Sequence, residues 1–433
     1  MPHAARHVAL ALSVLALSSA CDDGVGGDAG GSDGAIAHDA APARDGGNEG
    51  RDAGLEGFDA GGARDAGGAT TIDPYDYQGT GVVHAIGAGM PSIILDHIDG
   101  LECGDTIEVA PGTYQGITLR ELSGCEGMPI IVQPAAGGEV VLTDWGIELH
   151  AMHHVIVRAR VRGEHPFRVT APYRAAVSIS ESSTDIDLSG THADGCGYGV
   201  VVKTDPACDV LDHVAPMRIE DIRIHHNLIE STFYEGMYLG YYDPGDVDVT
   251  CGGTTTTVRA ERLARVEVFD NELHDTGNDA LKLRLCVDGC DLHDNVISGY
   301  GVLRTDDSAW CFGITIGAET WGRIYGNVID HGYCSAIDVR TNDTTHEYEI
   351  YDNTTRFGGT LPNGAQGADW GGGILYNVLA DDQRFYIHDN TSSDHRGADL
   401  EVTNYGSRPF MGRACRNGDD VTLTPGSPPL TDC

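Results

Sequence analysis

Six segments of this chain share one plan: IRIHHNLIEST (222–232), VEVFDNELHDT (266–276), CDLHDNVISGY (290–300), RIYGNVIDHGY (323–333), YEIYDNTTRFG (348–358) and FYIHDNTSSDH (385–395). Each is a short strand-like alternation, then Asn, then polar or small residues. The asparagines are Asn227, Asn271, Asn295, Asn327, Asn353 and Asn390, separated by 44, 24, 32, 26 and 37 residues. A base unit of about 24 residues with insertions is the mark of a solenoid, in which each coil covers the apolar edge of the next. Stacked Asn side chains can then hydrogen-bond along the axis as a ladder. The histidines in these segments, His225, His226, His274, His293 and His388, read as turn residues beside that ladder.

A second strand follows each Asn turn: AAVSIS (175–180), YGVVVK (198–203), EGMYLG (235–240), DALKLR (279–284), FGITIG (312–317), SAIDVR (335–340) and GGILYN (372–377). Period-two alternation assigns Val200/Val202, Met237/Leu239, Leu281/Leu283, Ile314/Ile316 and Ile337/Val339 to the core. The residues between them are expected to face solvent. One outward column reads Ser178, Val201, Tyr238, Lys282, Thr315, Asp338, Leu375. Its neighbour reads Ser180, Lys203, Gly240, Arg284, Gly317, Arg340, Asn377. Cys311 and Cys334 each lie three residues before the first inward residue of consecutive strands. Coils about 4.8 Å apart would bring them within disulfide reach.

The stretch CGDTIEVAPGTYQGITLRELSGCEGMPIIVQPAAGGEVVL (103–142), with its GDTI, PGTY and PI followed by a small-residue turn, resembles the first coils of pectate-lyase-like secreted proteins, especially chondroitinase-B-like and alginate-lyase-like polysaccharide lyases. The resemblance covers about residues 80 to 405. It implies an all-β fold, a right-handed single-stranded parallel β-helix. It specifies activity poorly, because one fold hosts many tasks.

The N-terminus reads as an export signal (1–20): Arg6, an apolar run VALALSVLAL (8–17), then small residues before Cys21. LSSAC resembles a bacterial lipoprotein box, which implies lipidation of Cys21 and attachment to a membrane only through that lipid, although Leu17 stands one position farther from the Cys than the box usually has it. Residues 21–75 are rich in Gly, Ala and Asp and read as a disordered, self-repelling tether. Residues 76–433 then form one large domain, expected to be monomeric. The net charge is −39, of which the segment 22–76 supplies 13 acids against 3 arginines. Such a surface excludes nucleic acid as a partner. Twelve cysteines without a CxxC or HExxH pattern read as disulfides of an exported protein. Cys103–Cys125, Cys208–Cys251 and Cys415–Cys433 are further candidate pairs, and with Cys21 set aside an odd thiol remains.

Lysine occurs twice and arginine 25 times, 27 basic residues less 2. Both lysines, Lys203 and Lys282, fall on the outward face just described. Two inserts, 204–217 and 241–262, leave that face from adjacent coils and are expected to wall a groove over Tyr238, pinned by Cys208 and Cys251. Lys203, Tyr238 and Lys282 stand on successive coils, with Arg284 beside Lys282 and Arg340 two coils on. Neighbouring cations favour a neutral lysine able to act as base, and an arginine fork matches a carboxylate. This is the equipment for β-elimination from a uronic-acid sugar, with Lys282 as base, Lys203 tuning it, Tyr238 as donor to the leaving oxygen and Arg284 neutralising the carboxylate. Arg340, Tyr241 and Tyr242 are the candidate substrate contacts. The resembled lyases commonly use calcium, and Glu235, Asp279, Asp205 and Asp243 are the oxygen ligands this chain would offer to Ca2+.

Three functions remain open on these residues. The first is an exported, cell-surface polysaccharide lyase. The second is a non-catalytic glycan-binding or structural β-helix. The third is a retaining glycoside hydrolase with Glu235 and Asp279 as its carboxylate pair.

Overall fold

The computed structural model describes residues 73–433 apart from 209–217, 304–309, 406, 418, 419, 426, 432 and 433. The signal segment, Cys21, most of the tether and Cys433 therefore lie outside the described residues. Among those described there is no helix. Three sheets of 12, 10 and 12 strands run through the fold, each strand pairing in parallel with the coils before and after it. One coil gives one strand to each sheet: Arg262–Phe269 to the first, Glu272–Thr276 to the second and Leu281–Leu283 to the third, before Cys290–His293 opens the next coil. This winding is a right-handed parallel β-helix.

The coil carries three strands where the repeat alone shows two. The extra strand lies directly after the ladder Asn, as Leu228–Glu230, Glu272–Thr276 or Val296–Tyr300. In the first two a single residue, Ile229 or Leu273, carries the apolar burial, and in the third Ile297 is joined only by Tyr300 at the strand's end, too short a run for periodicity to register. The expected inward residues of the third sheet are all at most 1% exposed. Burying each such side chain is worth roughly 1.5–3 kcal/mol, and Leu281→Ala would cost about 2–5 kcal/mol.

The ladder forms as expected and extends one coil farther. Each Asn Nδ2 donates to Oδ1 of the Asn on the next coil, from Asn227 through Asn271, Asn295, Asn327, Asn353 and Asn390 to Asn417, at 2.8–3.0 Å. Each Oδ1 also accepts the backbone N–H of the preceding ladder residue, so the buried amides are paired on both sides. The residue before each Asn turns the chain in the left-handed region: His226, Asp270, Asp294, Gly326, Asp352, Asp389 and Arg416, with φ between 52° and 66°. Asp at four of these positions is a local choice, since its short polar side chain tolerates that conformation. The residues two before the Asn stack outside the turn, His225–Phe269–His293–Tyr325–Tyr351–His388, with centroids 4.6–5.2 Å apart. His225, His293 and His388 thus belong to this stack.

The disulfides Cys103–Cys125, Cys208–Cys251 and Cys311–Cys334 form as expected. Cys286–Cys290 is an additional pair within one turn. Among the described residues Cys196 is the free, buried thiol, and the Cys415–Cys433 pairing falls on a residue outside those described. These crosslinks fit an exported protein.

Candidate functional site

The outward column assembles in the expected register. Ser178, Val201, Tyr238, Lys282, Thr315, Asp338 and Leu375 are successive partners across the third sheet. Gly240 makes room at its edge: φ is 86°, and a Cβ there would lie 1.9 Å from the Arg284 carbonyl oxygen of the next coil. Gly317 does the same for the Arg284 side chain, whose Cγ would be 2.4 Å from a Cβ at 317. One wall is described in full. The insert after Gly240 folds into an antiparallel hairpin, Asp246–Cys251 with Thr254–Arg259, and Cys208–Cys251 ties the preceding insert to it.

Tyr238 is the centre of the patch. Lys203 Nζ lies 5.2 Å from its ring centroid, reaching from the coil before, and Lys282 Nζ lies 4.8 Å from it, reaching from the coil after. Lys203 also stands 5.9 Å from the Tyr241 ring and forms a 2.7 Å pair with exposed Asp205. Burial, and secondarily the Glu235 charge, push the Tyr238 phenol well above its ordinary range, against a smaller pull from Arg284. Tyr238 is therefore a proton donor at any moderate pH and not a base.

The expectation that the whole column faces water is corrected. Lys282 and Thr315 are each 6% exposed and Asp338 is fully buried. Neighbouring side chains cover these three residues, while Tyr238 and Lys203 stay half-buried. Lys282 pairs with Glu235 at 3.2 Å and has the Trp310 ring 5.6 Å away. Asp338 pairs with Arg340 at 2.6 Å and accepts from Asn377 Nδ2 at 2.8 Å. Burial pushes the Asp338 carboxyl up to about 6, opposed by Arg340. Arg340 lies over the Phe312 ring, 5.2 Å from its centroid.

The proposed calcium ligands do not assemble. Among the described residues no group of three or more His, Cys, Asp or Glu side chains is placed to hold a metal ion. Glu235 is taken by Lys282 and Asp205 by Lys203, while Asp243 accepts the Gly245 N–H in its own turn. Asp279 is fully buried and accepts the Phe312 N–H at 2.9 Å. The residues present do not fit a cation cage, because Glu235 and Asp205 are each held by a lysine and Asp243 by its own turn, so these carboxylates do not converge with Asp279 on one point. The same placement removes the hydrolase pair, since a fully buried Asp279 cannot touch a sugar. Burial pushes its carboxyl up to about 7, with Lys282 acting in the opposite direction.

Three buried polar atoms of this patch have no hydrogen-bond partner among the described residues: Asp279 Oδ2, Arg284 Nε and Thr315 Oγ1. Orphaned buried polar groups are costly and uncommon, so Arg284 Nε and Thr315 Oγ1 beside Lys282 mark a place where a ligand or water is expected, whereas fully buried Asp279 is out of a sugar's reach. Arg284 makes no ion pair among the described residues, and burial shifts its guanidinium downward. Tyr241 packs with Ala260 and Leu285, and exposed Tyr242 lies 4.7 Å from it at the rim. Sequence reasoning missed Trp310 and the aromatic group Tyr173, Tyr198, Phe233 and Tyr234. A signal was present, because PYR and TFYEG immediately precede, and GYG opens, three consecutive third-sheet strands. A separate cavity of about 240 Å³, between Asp73, Arg162, Arg223 and His225, lies on the first sheet's side and does not include these groups.

No family model matches the chain, and no curated protein is similar to it at a significant level. Solved structures do resemble it. The GH136 lacto-N-biosidase from Eubacterium ramulus aligns over 75% of this chain and 61% of its own, at 12% identity and a TM-score of 0.45. The alginate lyase from Paenibacillus sp. str. FPU-7 aligns over 78% of this chain and 96% of its own, at 13% identity and a TM-score of 0.36. Pectate lyase Pel9A aligns over 77% and 72%, at 12% identity and a TM-score of 0.36. This chain thus spans about three fifths of the length of the lacto-N-biosidase.

Proposed function

We propose that this chain is an exported β-helix protein that binds a uronate-containing polysaccharide over the outward face of its third sheet and cleaves it by β-elimination. The observation that carries this reading is the convergence of the only two lysines on the Tyr238 ring, at 5.2 and 4.8 Å. Arg284, half-buried, with its Nε unpartnered and no ion pair among the described residues, is the clamp for the substrate carboxylate. Tyr238, held as a phenol, gives its proton to the departing glycosidic oxygen. The base role passes from Lys282 to Lys203. Lys282 is 7% exposed and paired with Glu235, whereas Lys203 is 20% exposed and its partner Asp205 is 62% exposed. In its neutral form Lys203 takes the proton α to the carboxylate, the carbon–oxygen bond to the leaving sugar breaks, and a carbon–carbon double bond forms. No step needs a bound metal.

A second reading, glycan binding without turnover, is favoured by the same Lys282–Glu235 pair, which withdraws one lysine from chemistry. Incubation with a panel of uronate polysaccharides separates the two. Growth of the unsaturated product's ultraviolet absorbance supports the lyase, calorimetric binding without absorbance supports the second reading, and neither result sinks both. Lipidation at Cys21 belongs to this proposal as the means of display at the cell surface. A Cys21→Ser chain that still partitions with membranes would remove it.

A further inference from the structure

The aromatic residues at the starts of three third-sheet strands form a path into the Tyr238 centre. Tyr173 and Phe233 stack with centroids 5.1 Å apart, Tyr198 and Tyr234 stack at 5.0 Å, and Tyr198 lies 6.3 Å from Tyr238. Exposure falls along the path, from 69% at Tyr173 through 42% at Phe233 and 40% at Tyr234 to the largely covered Tyr198 and Tyr238. We propose that Tyr173, Phe233, Tyr234 and Tyr198 are a stacking track that holds the pyranose units next to the one seated at Tyr238. This rests on the reading of that centre given above and adds that the ligand is a chain, not a single sugar.

Two features show that the outer end of the track is built and not incidental. Tyr173 adopts φ 67°, a left-handed conformation that is a genuine outlier for a bulky residue. It holds that strain while its ring stays mostly in water, so burial does not compensate it. Strain kept for a ring whose one partner is the exposed Phe233 points to use. The coil beside it is also cut away. A Cβ at Gly197 would lie 2.5 Å from the Tyr173 carbonyl carbon, and only this glycine lets the two turns approach. Tyr173 and Phe233 meet across that gap although a coil lies between them.

The occupant follows from chemistry. The flat ring faces match the C–H faces of a pyranose, and the ring spacing is comparable with the length of one sugar unit. The chain's net charge of −39 repels an anionic polymer away from the local basic centre. An uncharged stacking surface is the contact that escapes this repulsion. The track is also continuous with the centre through Tyr198, 6.3 Å from Tyr238, so a polymer threaded along it reaches that ring.

The test uses the full chain, with calorimetric titration of galacturonate and mannuronate disaccharides and hexasaccharides and of a neutral xylose hexasaccharide. Tyr173→Ala with Phe233→Ala is expected to weaken uronate hexasaccharide binding about tenfold or more, an aromatic-stacking contribution, and to leave the disaccharides within about twofold. Tyr173→Phe should retain the parent affinity. Tyr173→Gly should weaken hexasaccharide binding while the melting temperature stays level or rises, because glycine relieves the strained φ. Equal loss at both lengths, or a lower melting temperature in Tyr173→Gly, makes the pair structural and overturns the track. Uronate turnover with no length dependence removes the track alone. Binding of only the neutral hexasaccharide, lost in the variants, keeps the track and removes the uronate reading. Absence of binding to any of these glycans removes both.

Discussion

Glu235 and Lys282 join consecutive coils through a 3.2 Å ion pair in which the two side chains are 6% and 7% exposed. A buried pair gains little over an apolar pair, yet loss of one partner strands a charge. Glu235→Ala is therefore expected to destabilise the fold by about 3–5 kcal/mol, while Glu235→Leu with Lys282→Met recovers most of it. Urea unfolding midpoints measure both. If Glu235→Ala costs less than about 1 kcal/mol, comparable to an exposed pair, the site is wetter than described.

Charge-preserving substitutions divide the two lysines. Lys203→Arg should cut uronate turnover by about 100-fold or more, the usual scale of a lost base, because a guanidinium does not deprotonate. Lys282→Arg should shift the unfolding midpoint more than the rate. Initial rates by ultraviolet absorbance decide, and the reverse pattern would return the base role to Lys282.

Asp279 gives the pH dependence a definite sign. Its carboxyl is near 3.8 when unfolded and about 7 when folded, so between these values the folded state holds a proton that the unfolded state releases. Stability falls as pH rises across that window and levels off above it. Asp338 acts in the same direction up to about 6. Asp279→Asn should therefore raise the melting temperature above pH ~7 and flatten its slope below. The difference between the parent and variant melting curves isolates this contribution, and a parallel offset at all pH values would refute it.

Removal of a single rung tests the ladder. Asn295 accepts from the backbone and side-chain amides of Asn271 and donates to Asn327 Oδ1, Val268 O and His293 O. Asn295→Ala leaves several buried groups unpaired, each costing about 1–3 kcal/mol, so a loss of about 3 kcal/mol or more in urea unfolding is expected.

The thiols should sort by peptide mapping. Burial pushes the Cys196 thiol up to about 11, so its peptide is alkylated only after unfolding. Cys311 and Cys334 should be recovered as one linked pair without reduction. Alkylation of native Cys196 would place it in a more open environment than the described one.

Much of this was legible in the linear chain. The spacing of Asn271, Asn295, Asn327 and Asn353, and the alternation around Leu281 and Ile314, determined which residues stand above one another. A parallel strand pair has one register that buries its apolar set, and a one-residue slip would expose it all. The columns holding Tyr238, Lys282 and Arg284 followed from that, as did the pairing of Cys311 with Cys334. Asn417 escaped notice because its coil lacks the flanking pattern of the others. Tertiary structure alone decided what those columns face. Whether Lys282 meets water or Glu235, whether Asp279 can touch a ligand, and whether Tyr173 reaches Phe233 across Gly197 depend on side-chain direction and on inserts leaning over the sheet. The Lys282–Glu235 and Tyr173–Phe233 contacts join residues more than 40 positions apart, and no local period encodes which side chains meet.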